Sequence, residues 1–137
     1  MSGNGDCPLC VLIIDDQQSM RSIVRGLLHG IGIDDVAEAS GGEGALRQLG
    51  DPRAKFPDVI ICDLHMAQMD GLEFCNAVRR NEKLRNSGVP ILMLTGDRDQ
   101  LLQEVARQVG ALTVLYKPIT GEELKEAITK AVGYFYA

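Results

Sequence analysis

The stretch VLIIDDQQS, residues 11–19, places four apolar residues directly before two adjacent aspartates. The run Val11–Ile14 shows no polar alternation, which is typical of a strand buried on both faces in a parallel sheet. Asp15 and Asp16 then crowd two like charges at the end of that strand, and each raises the cost of ionising the other. We therefore expect the two aspartates to have a function in addition to ending the strand.

Four further segments have strand character. Three are apolar runs, Val59–Cys62, Ile91–Leu94 and the weaker Leu112–Leu115. The fourth, Asp35–Ser40, is more polar and suits an edge strand. Helical patterns follow each strand, and this alternation predicts an α/β fold with a parallel sheet, right-handed crossovers and helices on both faces.

The segments between the strands have the apolar spacing of helices with one buried face. We predict two shorter helices over Gly42–Leu49 and Gly71–Arg80. Gly110 is a predicted helix stop, and Thr120 with Glu123 has the spacing of a capping box. The residues predicted to face the core are Met20, Ile23, Val24, Leu27 and Leu28 in the first helix, Leu101, Leu102, Val105, Ala106 and Val109 in the fourth, and Leu124, Ala127, Ile128 and Ala131 in the last.

Polar side chains stand at the carboxyl ends of these strands, where ligands bind in sheets of this kind. Along the chain they are Asp15 and Asp16, Asp63, Thr95 and Lys117. Clustered carboxylates suit a hard divalent cation such as Mg²⁺, which prefers oxygen ligands. An ammonium and a hydroxyl beside it suit a phosphoryl group. One of the carboxylates can then be the nucleophile that receives that group.

Composition narrows the classes of function. The chain has 137 residues, 45% of them hydrophobic, and a formal net charge of −5. These values suit one globular domain and argue against a nucleic-acid binder. No apolar stretch reaches the roughly 18 residues that cross a bilayer, and the start lacks the regions of a signal peptide. We expect a cytoplasmic protein with no membrane partner, whose four cysteines are reduced thiols: Cys7, Cys10, Cys62 and Cys75.

Four short motifs carry a resemblance to a known family. They are IIDD (Ile13–Asp16), DLHMAQMDG (Asp63–Gly71), LTG (Leu94–Gly96) and YKP (Tyr116–Pro118). Their order and spacing resemble the receiver domain of bacterial two-component response regulators, in particular the stand-alone chemotaxis type. The resemblance implies a flavodoxin-like (βα)5 fold, doubly wound, with strand order 2-1-3-4-5. We expect an N-terminal extension over residues 1–9, the receiver domain over 10–133 and a short tail over 134–137.

The resemblance also implies a metal site. Asp16 and Asp63 would bind Mg²⁺ directly, with Mn²⁺ able to substitute. Asp15 would contact the cation mainly through water, and the backbone carbonyl of His65 would be a further ligand.

The same resemblance implies that Asp63 is the phospho-acceptor. Lys117 would pair with the phosphoryl oxygens, and the hydroxyl of Thr95 would turn inward to hydrogen-bond one of them. The Lys117–Pro118 bond would be a cis peptide.

A switch rather than an enzyme is the function that follows from the resemblance. A sensor histidine kinase or phosphotransfer protein would donate the phosphoryl group, an unidentified protein would read the altered conformation, and the domain would hydrolyse its own phosphate. We expect output by non-covalent contact, through the fourth and fifth strands and helices. The alternatives are a flavodoxin-like nucleotide or flavin binder, which would want a glycine-rich loop where DDQQS stands, a phosphatase, and a scaffold that is never phosphorylated.

Two positions depart from the family pattern. Ala67 stands where proline is frequent, and Val114 stands where many members carry a switching aromatic. Tyr116 points to the same side of its strand as Val114 by alternation, but it is displaced along the strand.

His65 and Asp97 occupy the variable positions two residues after the acceptor and after the threonine. We hypothesise that they flank the phosphoryl group and tune its lifetime; the alternative is that both only face solvent.

Overall fold

The computed structural model describes residues 9–133, in which strands and helices alternate throughout. The strands are β1 (Cys10–Ile14), β2 (Asp35–Ala39), β3 (Val59–Asp63), β4 (Ile91–Thr95) and β5 (Thr113–Tyr116). The helices are α1 (Gln18–Gly30), α2 (Gly42–Gly50), α3 (Gly71–Arg80), α4 (Gln100–Gln108) and α5 (Gly121–Val132). Residues 1–8 of the predicted extension and the predicted tail, residues 134–137, lie outside the described residues. Leu9, the last residue of the predicted extension, is buried in the core.

All five strands form one parallel sheet in the order β2-β1-β3-β4-β5. This is the predicted flavodoxin-like arrangement. Every residue of β1, β3 and β4 is buried, as their uninterrupted apolar runs predicted. The edge strand β2 alternates between exposed and half-buried residues and ends at the buried Ala39. The register pairs Ile14 with Cys62, Asp63 with Leu94, and Thr95 with Tyr116. The strand ends therefore form one edge of the sheet.

Two hydrophobic clusters cover the two faces of the sheet. One face packs against α2, α3 and α4 through residues such as Leu49, Phe74 and Ala106. The other packs against α1 and α5 through residues such as Leu28 and Ile128. Alternation along β1 divides its side chains between the two clusters. The expectation of helices on both faces is confirmed.

Part of the predicted core is wrong, because the buried helix faces are narrower than the sequence suggested. Ile23 is 55% exposed, Leu101 69% and Val105 39%. Adjacent residues of a helix point about 100° apart around its axis. Because α1 buries Val24 and α4 buries Ala106, the preceding residues, Ile23 and Val105, point away from the core. Leu102 and Val109 remain partly buried against the core.

The predicted start of α5 and the predicted end of α4 are confirmed. Thr120 and Glu123 form the capping box of α5, and Gly110 adopts a φ of 103° just after α4. Cys10, Cys62 and Cys75 are free and buried, as expected for structural thiols. Cys7 lies outside the described residues. Within residues 9–133, no helix is long and apolar enough to cross a membrane.

Candidate functional site

Three carboxylates meet at the carboxyl edge of the sheet. Asp15 and Asp16 follow β1, and Asp63 is the last residue of the adjacent strand β3. One oxygen from each can be chosen so that all three lie within 4.8 Å of one another. Asp15 is 2% exposed and Asp63 6%, while Asp16 is open to solvent. The three aspartates, predicted from two separate motifs, therefore form one cluster.

Burial makes the charged form of Asp15 costly. It raises the pKa of Asp15, and the charges of Asp63 and Asp16 raise this pKa further. The backbone N–H of Gln17, which donates to Asp15 Oδ1 at 2.9 Å, and the ammonium of Lys117 act in the opposite direction. Anions held together in this way favour a cation among them.

Lys117 brings one positive charge to the cluster. Its Nζ lies 2.9 Å from Asp63 Oδ1 and 3.9 Å from Asp15 Oδ2. The backbone N–H of Lys117 donates to the carbonyl oxygen of Thr95 at 2.8 Å, which ties the end of β5 to β4. The Lys117–Pro118 peptide is cis, as the resemblance implied.

Thr95 is completely buried at the end of β4 and begins a series of turns. Its Oγ1 accepts a hydrogen bond from the backbone N–H of Asp97, Asp97 Oδ1 accepts one from Asp99, and Asp99 Oδ1 accepts one from Leu101, each at 3.0 Å. We call these three hydrogen bonds the turn ladder. It joins the hydroxyl of Thr95 to the first turn of α4.

The loop after Asp63 lies against the acidic cluster. Its His65 is exposed, as is Asp97 in the loop after β4. The backbone N–H of Ala67 donates to Asp16 Oδ2 at 3.1 Å. A proline at position 67 has no N–H to donate, so the departure from the family pattern adds a contact to the site.

Gly71 and Arg21 belong to this site although neither was predicted as a site residue. A Cβ at Gly71 would lie 2.7 Å from the carbonyl oxygen of Asp63, so glycine allows α3 to begin against β3. Arg21 Nη1 donates to the carbonyl oxygen of Asp15 at 2.6 Å. The glycine after Asp70 was a usable turn signal, whereas nothing local marks Arg21.

Val114 and Tyr116 both face the cluster of α2, α3 and α4, as strand alternation predicted. Val114 is buried there. The ring of Tyr116 lies under the guanidinium of Arg98, 4.9 Å from its centroid, and its hydroxyl accepts a hydrogen bond from Gln103. Tyr116 therefore contacts α4 and the loop that carries the turn ladder.

The donor set fits a hard divalent cation. Carboxylate oxygens are the ligands that Mg²⁺ prefers, and Mg²⁺ usually takes one or two of them and keeps several waters. Asp15, Asp16 and Asp63 form the one group of three or more acidic, histidine or cysteine side chains placed to hold a metal within residues 9–133.

Comparisons with known proteins agree with this geometry. The family model described as "Response regulator receiver domain" matches residues 11–129. Chemotaxis protein CheY of Pseudomonas aeruginosa is 37% identical over 122 residues, which is 88% of this chain and 93% of that protein. A putative response regulator from Chloroflexus aurantiacus has a similar structure, with a TM-score of 0.81, 31% identity and coverage of 92% of this chain and 98% of that one. Vibrio cholerae CheY4 gives a TM-score of 0.77 at 34% identity over 90% of this chain and 98% of that one. The chain thus belongs to the response regulator receiver domains of two-component signalling.

Proposed function

We propose that this receiver domain is a phospho-accepting switch and that Asp63 is its acceptor. The observation that carries the proposal is the 2.9 Å contact between Lys117 Nζ and Asp63 Oδ1 within a cluster of three carboxylates. Asp63 is 6% exposed at the carboxyl edge of the sheet, where an incoming phosphoryl group can reach it.

The donor is a phosphohistidine on a sensor histidine kinase or on a phosphotransfer protein. A carboxylate oxygen of Asp63 forms a bond to phosphorus while the phosphorus–nitrogen bond breaks, and the electron pair of that bond returns to the imidazole ring. Water later attacks the same phosphorus, which releases inorganic phosphate and restores the carboxylate. The domain acts on its own phosphate and is not an enzyme with a free substrate.

Asp16 and Asp63 are the proposed direct ligands of Mg²⁺, with Asp15 binding through water and the carbonyl of His65 completing the protein ligands. Mn²⁺ can take the same place. The bound cation offsets negative charge on the transferring phosphoryl group. Lys117 is already within ion-pair distance of Asp63 and Asp15, so its ammonium is placed to neutralise charge on the product as well.

Phosphorylation replaces a carboxylate with a group of about −2 charge and strong acceptor oxygens. These acceptors give the hydroxyl of Thr95 a partner to which it can donate. A move of Thr95 toward the phosphoryl group breaks the first hydrogen bond of the turn ladder, because the acceptor for the Asp97 N–H moves away. The switch then biases the start of α4.

An unidentified protein reads the switch on the α4–β5 side of the domain. Leu101, Val105 and Leu112 are exposed there, at 69%, 39% and 46%, and apolar groups on that side suit a protein partner. We also propose a cytoplasmic location, which is the location expected from the sequence. His65 and Asp97, both exposed beside the site, remain the proposed tuners of phosphate lifetime.

Intact-mass measurement tests the proposal. Wild type, Asp63→Asn and the control Asp99→Asn are incubated with acetyl phosphate in Mg²⁺, in Mn²⁺ or in EDTA. We expect a gain of one phosphoryl group in wild type and Asp99→Asn with either metal, and none in EDTA or in Asp63→Asn. An equal gain in Asp63→Asn contradicts the acceptor assignment. No gain in any sample favours the scaffold alternative, and a bound yellow cofactor in the purified protein favours the flavin binder.

A further inference from the structure

Arg21 holds the peptide group that links the two adjacent aspartates. It lies in the first turn of α1, and helical side chains tilt toward the helix N-terminus, so Arg21 reaches back over the loop that precedes the helix. Its Nη1 donates to the carbonyl oxygen of Asp15 at 2.6 Å. That carbonyl belongs to the peptide between Asp15 and Asp16, and the N–H of Asp15 donates to the Ala39 carbonyl at 3.2 Å. The backbone at Asp15 is therefore fixed by an external partner on both sides.

Glu38 orients the guanidinium and balances its charge. Glu38 Oε1 accepts from Arg21 Nε at 2.8 Å, and Oε2 accepts from Arg25 Nε at 2.7 Å. The side chain of Arg21 is 14% exposed, so it is largely shielded from solvent. A planar guanidinium can make both of its contacts at fixed angles, which a lysine cannot do.

We propose that Arg21 is a positioning residue for the metal and phosphoryl site, acting through the Asp15–Asp16 peptide. The proposal rests on the function proposed above, because it concerns the same acidic pair. Because the charges of Arg21 and Glu38 offset each other, the pair adds little net charge to the site, and its contribution is to hold the Asp15–Asp16 peptide in place. Residues that orient metal ligands in this way typically change metal affinity by about tenfold or more when removed.

The direction of the effect separates geometry from charge. If Arg21 acted only as a nearby positive charge, its removal would tighten the binding of a cation to the carboxylates. If it acts by holding the Asp15–Asp16 peptide, its removal weakens that binding, because both aspartates lose their fixed placement.

Arg25 offers a matched control. It binds the same Glu38, but its Nη2 donates to the carbonyl of Val36 at 3.1 Å rather than to the acidic loop. Its side chain is 46% exposed. Arg25→Ala therefore removes the same charge and the same ionic partner without touching Asp15.

The test is isothermal titration of Mg²⁺ into wild type, Arg21→Ala, Arg21→Lys and Arg25→Ala, with urea unfolding of each variant. We expect Kd for Mg²⁺ to rise on the order of tenfold in Arg21→Ala. It should also rise in Arg21→Lys, which keeps the positive charge but lacks the planar guanidinium that contacts Asp15 and Glu38 together. Arg25→Ala should stay within about twofold of wild type. Should Arg21→Ala not fold, Arg21→Lys decides alone.

Unchanged or tighter Mg²⁺ binding in the Arg21 variants overturns the proposal. So does an equal weakening in Arg25→Ala, which would mean a general effect on stability. Acetyl phosphate labelling of wild type is run alongside. Labelling of wild type together with unchanged binding in the Arg21 variants rejects this inference alone, whereas absence of labelling rejects the proposed function.

Discussion

The carboxylate of Asp16 accepts a hydrogen bond from the backbone N–H of Ala67 across 3.1 Å. This bond links the loop after β1 to the loop after β3, and it exists because position 67 is not proline. The N–H competes with a cation for the charge of Asp16. We therefore expect Ala67→Pro to bind Mg²⁺ about fivefold more tightly, as the loss of a competing bond of about 1 kcal/mol implies.

Ala67→Ser is the control, because serine keeps the N–H. Its Kd for Mg²⁺, measured by isothermal titration, should match that of wild type. Weaker binding in Ala67→Pro than in Ala67→Ser would show that the bond assists the metal site rather than competing with it.

Gly71 is expected to resist substitution by any residue with a side chain. An added Cβ would meet the Asp63 carbonyl oxygen at 2.7 Å and the Leu64 Cα at 3.0 Å, and neither backbone group can move without shifting the acceptor. Gly71→Ala should lower the free energy of unfolding by about 1–3 kcal/mol, as overpacking does. Gly26, in the exposed interior of α1 with no atom within 4 Å of an added Cβ, is the matched control. Gly26→Ala should raise the free energy of unfolding by about 0.5–1 kcal/mol. Equal free energies of unfolding for the two variants, measured with urea, would contradict this explanation.

Asp97 carries the middle hydrogen bond of the turn ladder, through its Oδ1 to the N–H of Asp99. Asparagine keeps an oxygen at that position, and alanine does not. If the ladder sets the resting position of the Thr95 hydroxyl, Asp97→Ala should speed exchange of the Asp99 and Leu101 amides with solvent, while Asp97→Asn stays close to wild type. If both variants instead change only the rate of phosphate loss, and to the same extent, the charge of Asp97 matters and the ladder does not.

Glu38 should make the stability of the protein depend on pH. The hydrogen bond from Arg25, then that from Arg21, hold the pKa of Glu38 below its ordinary value of 4.5. Between the lowered pKa and the ordinary value of 4.5, the unfolded chain therefore binds more protons at Glu38 than the folded chain does. The contribution of Glu38 to stability is complete above pH 4.5 and is lost as the pH falls through the lowered pKa. Subtracting the unfolding free energy of Glu38→Gln from that of wild type should give a difference that shrinks on acidification. A difference independent of pH contradicts the pairing of Glu38 with the two arginines.

The fold could be predicted from the sequence because its signals are local. Uninterrupted apolar runs such as Val11–Ile14 and Val59–Cys62 indicate strands with helices on both faces of the sheet. The more polar sequence of β2 indicates an edge strand. The helix faces were less predictable. Ile23 and Leu101 fit the apolar spacing, but how wide a stripe each helix buries depends on how it sits on the sheet, which is a tertiary property.

The acidic cluster was predictable because each aspartate ends an apolar run and the ends of parallel strands share one edge. The partners that hold it were not. Arg21 reaches Asp15 through a backbone carbonyl, and Ala67 reaches Asp16 through a backbone N–H. Almost every residue type has a backbone carbonyl and N–H, so residue type does not show which position supplies these contacts.

The central claim is that Asp63 receives the phosphoryl group, and hydride trapping tests it most directly. Borohydride reduces an acyl phosphate to an alcohol, which converts a phosphorylated aspartate into homoserine. Wild type is treated with acetyl phosphate and Mg²⁺, quenched with borohydride, digested and sequenced by mass spectrometry. We predict homoserine at position 63, and none there when Mg²⁺ is removed by EDTA. Homoserine at Asp15 or Asp16 with Asp63 unmodified would contradict the account.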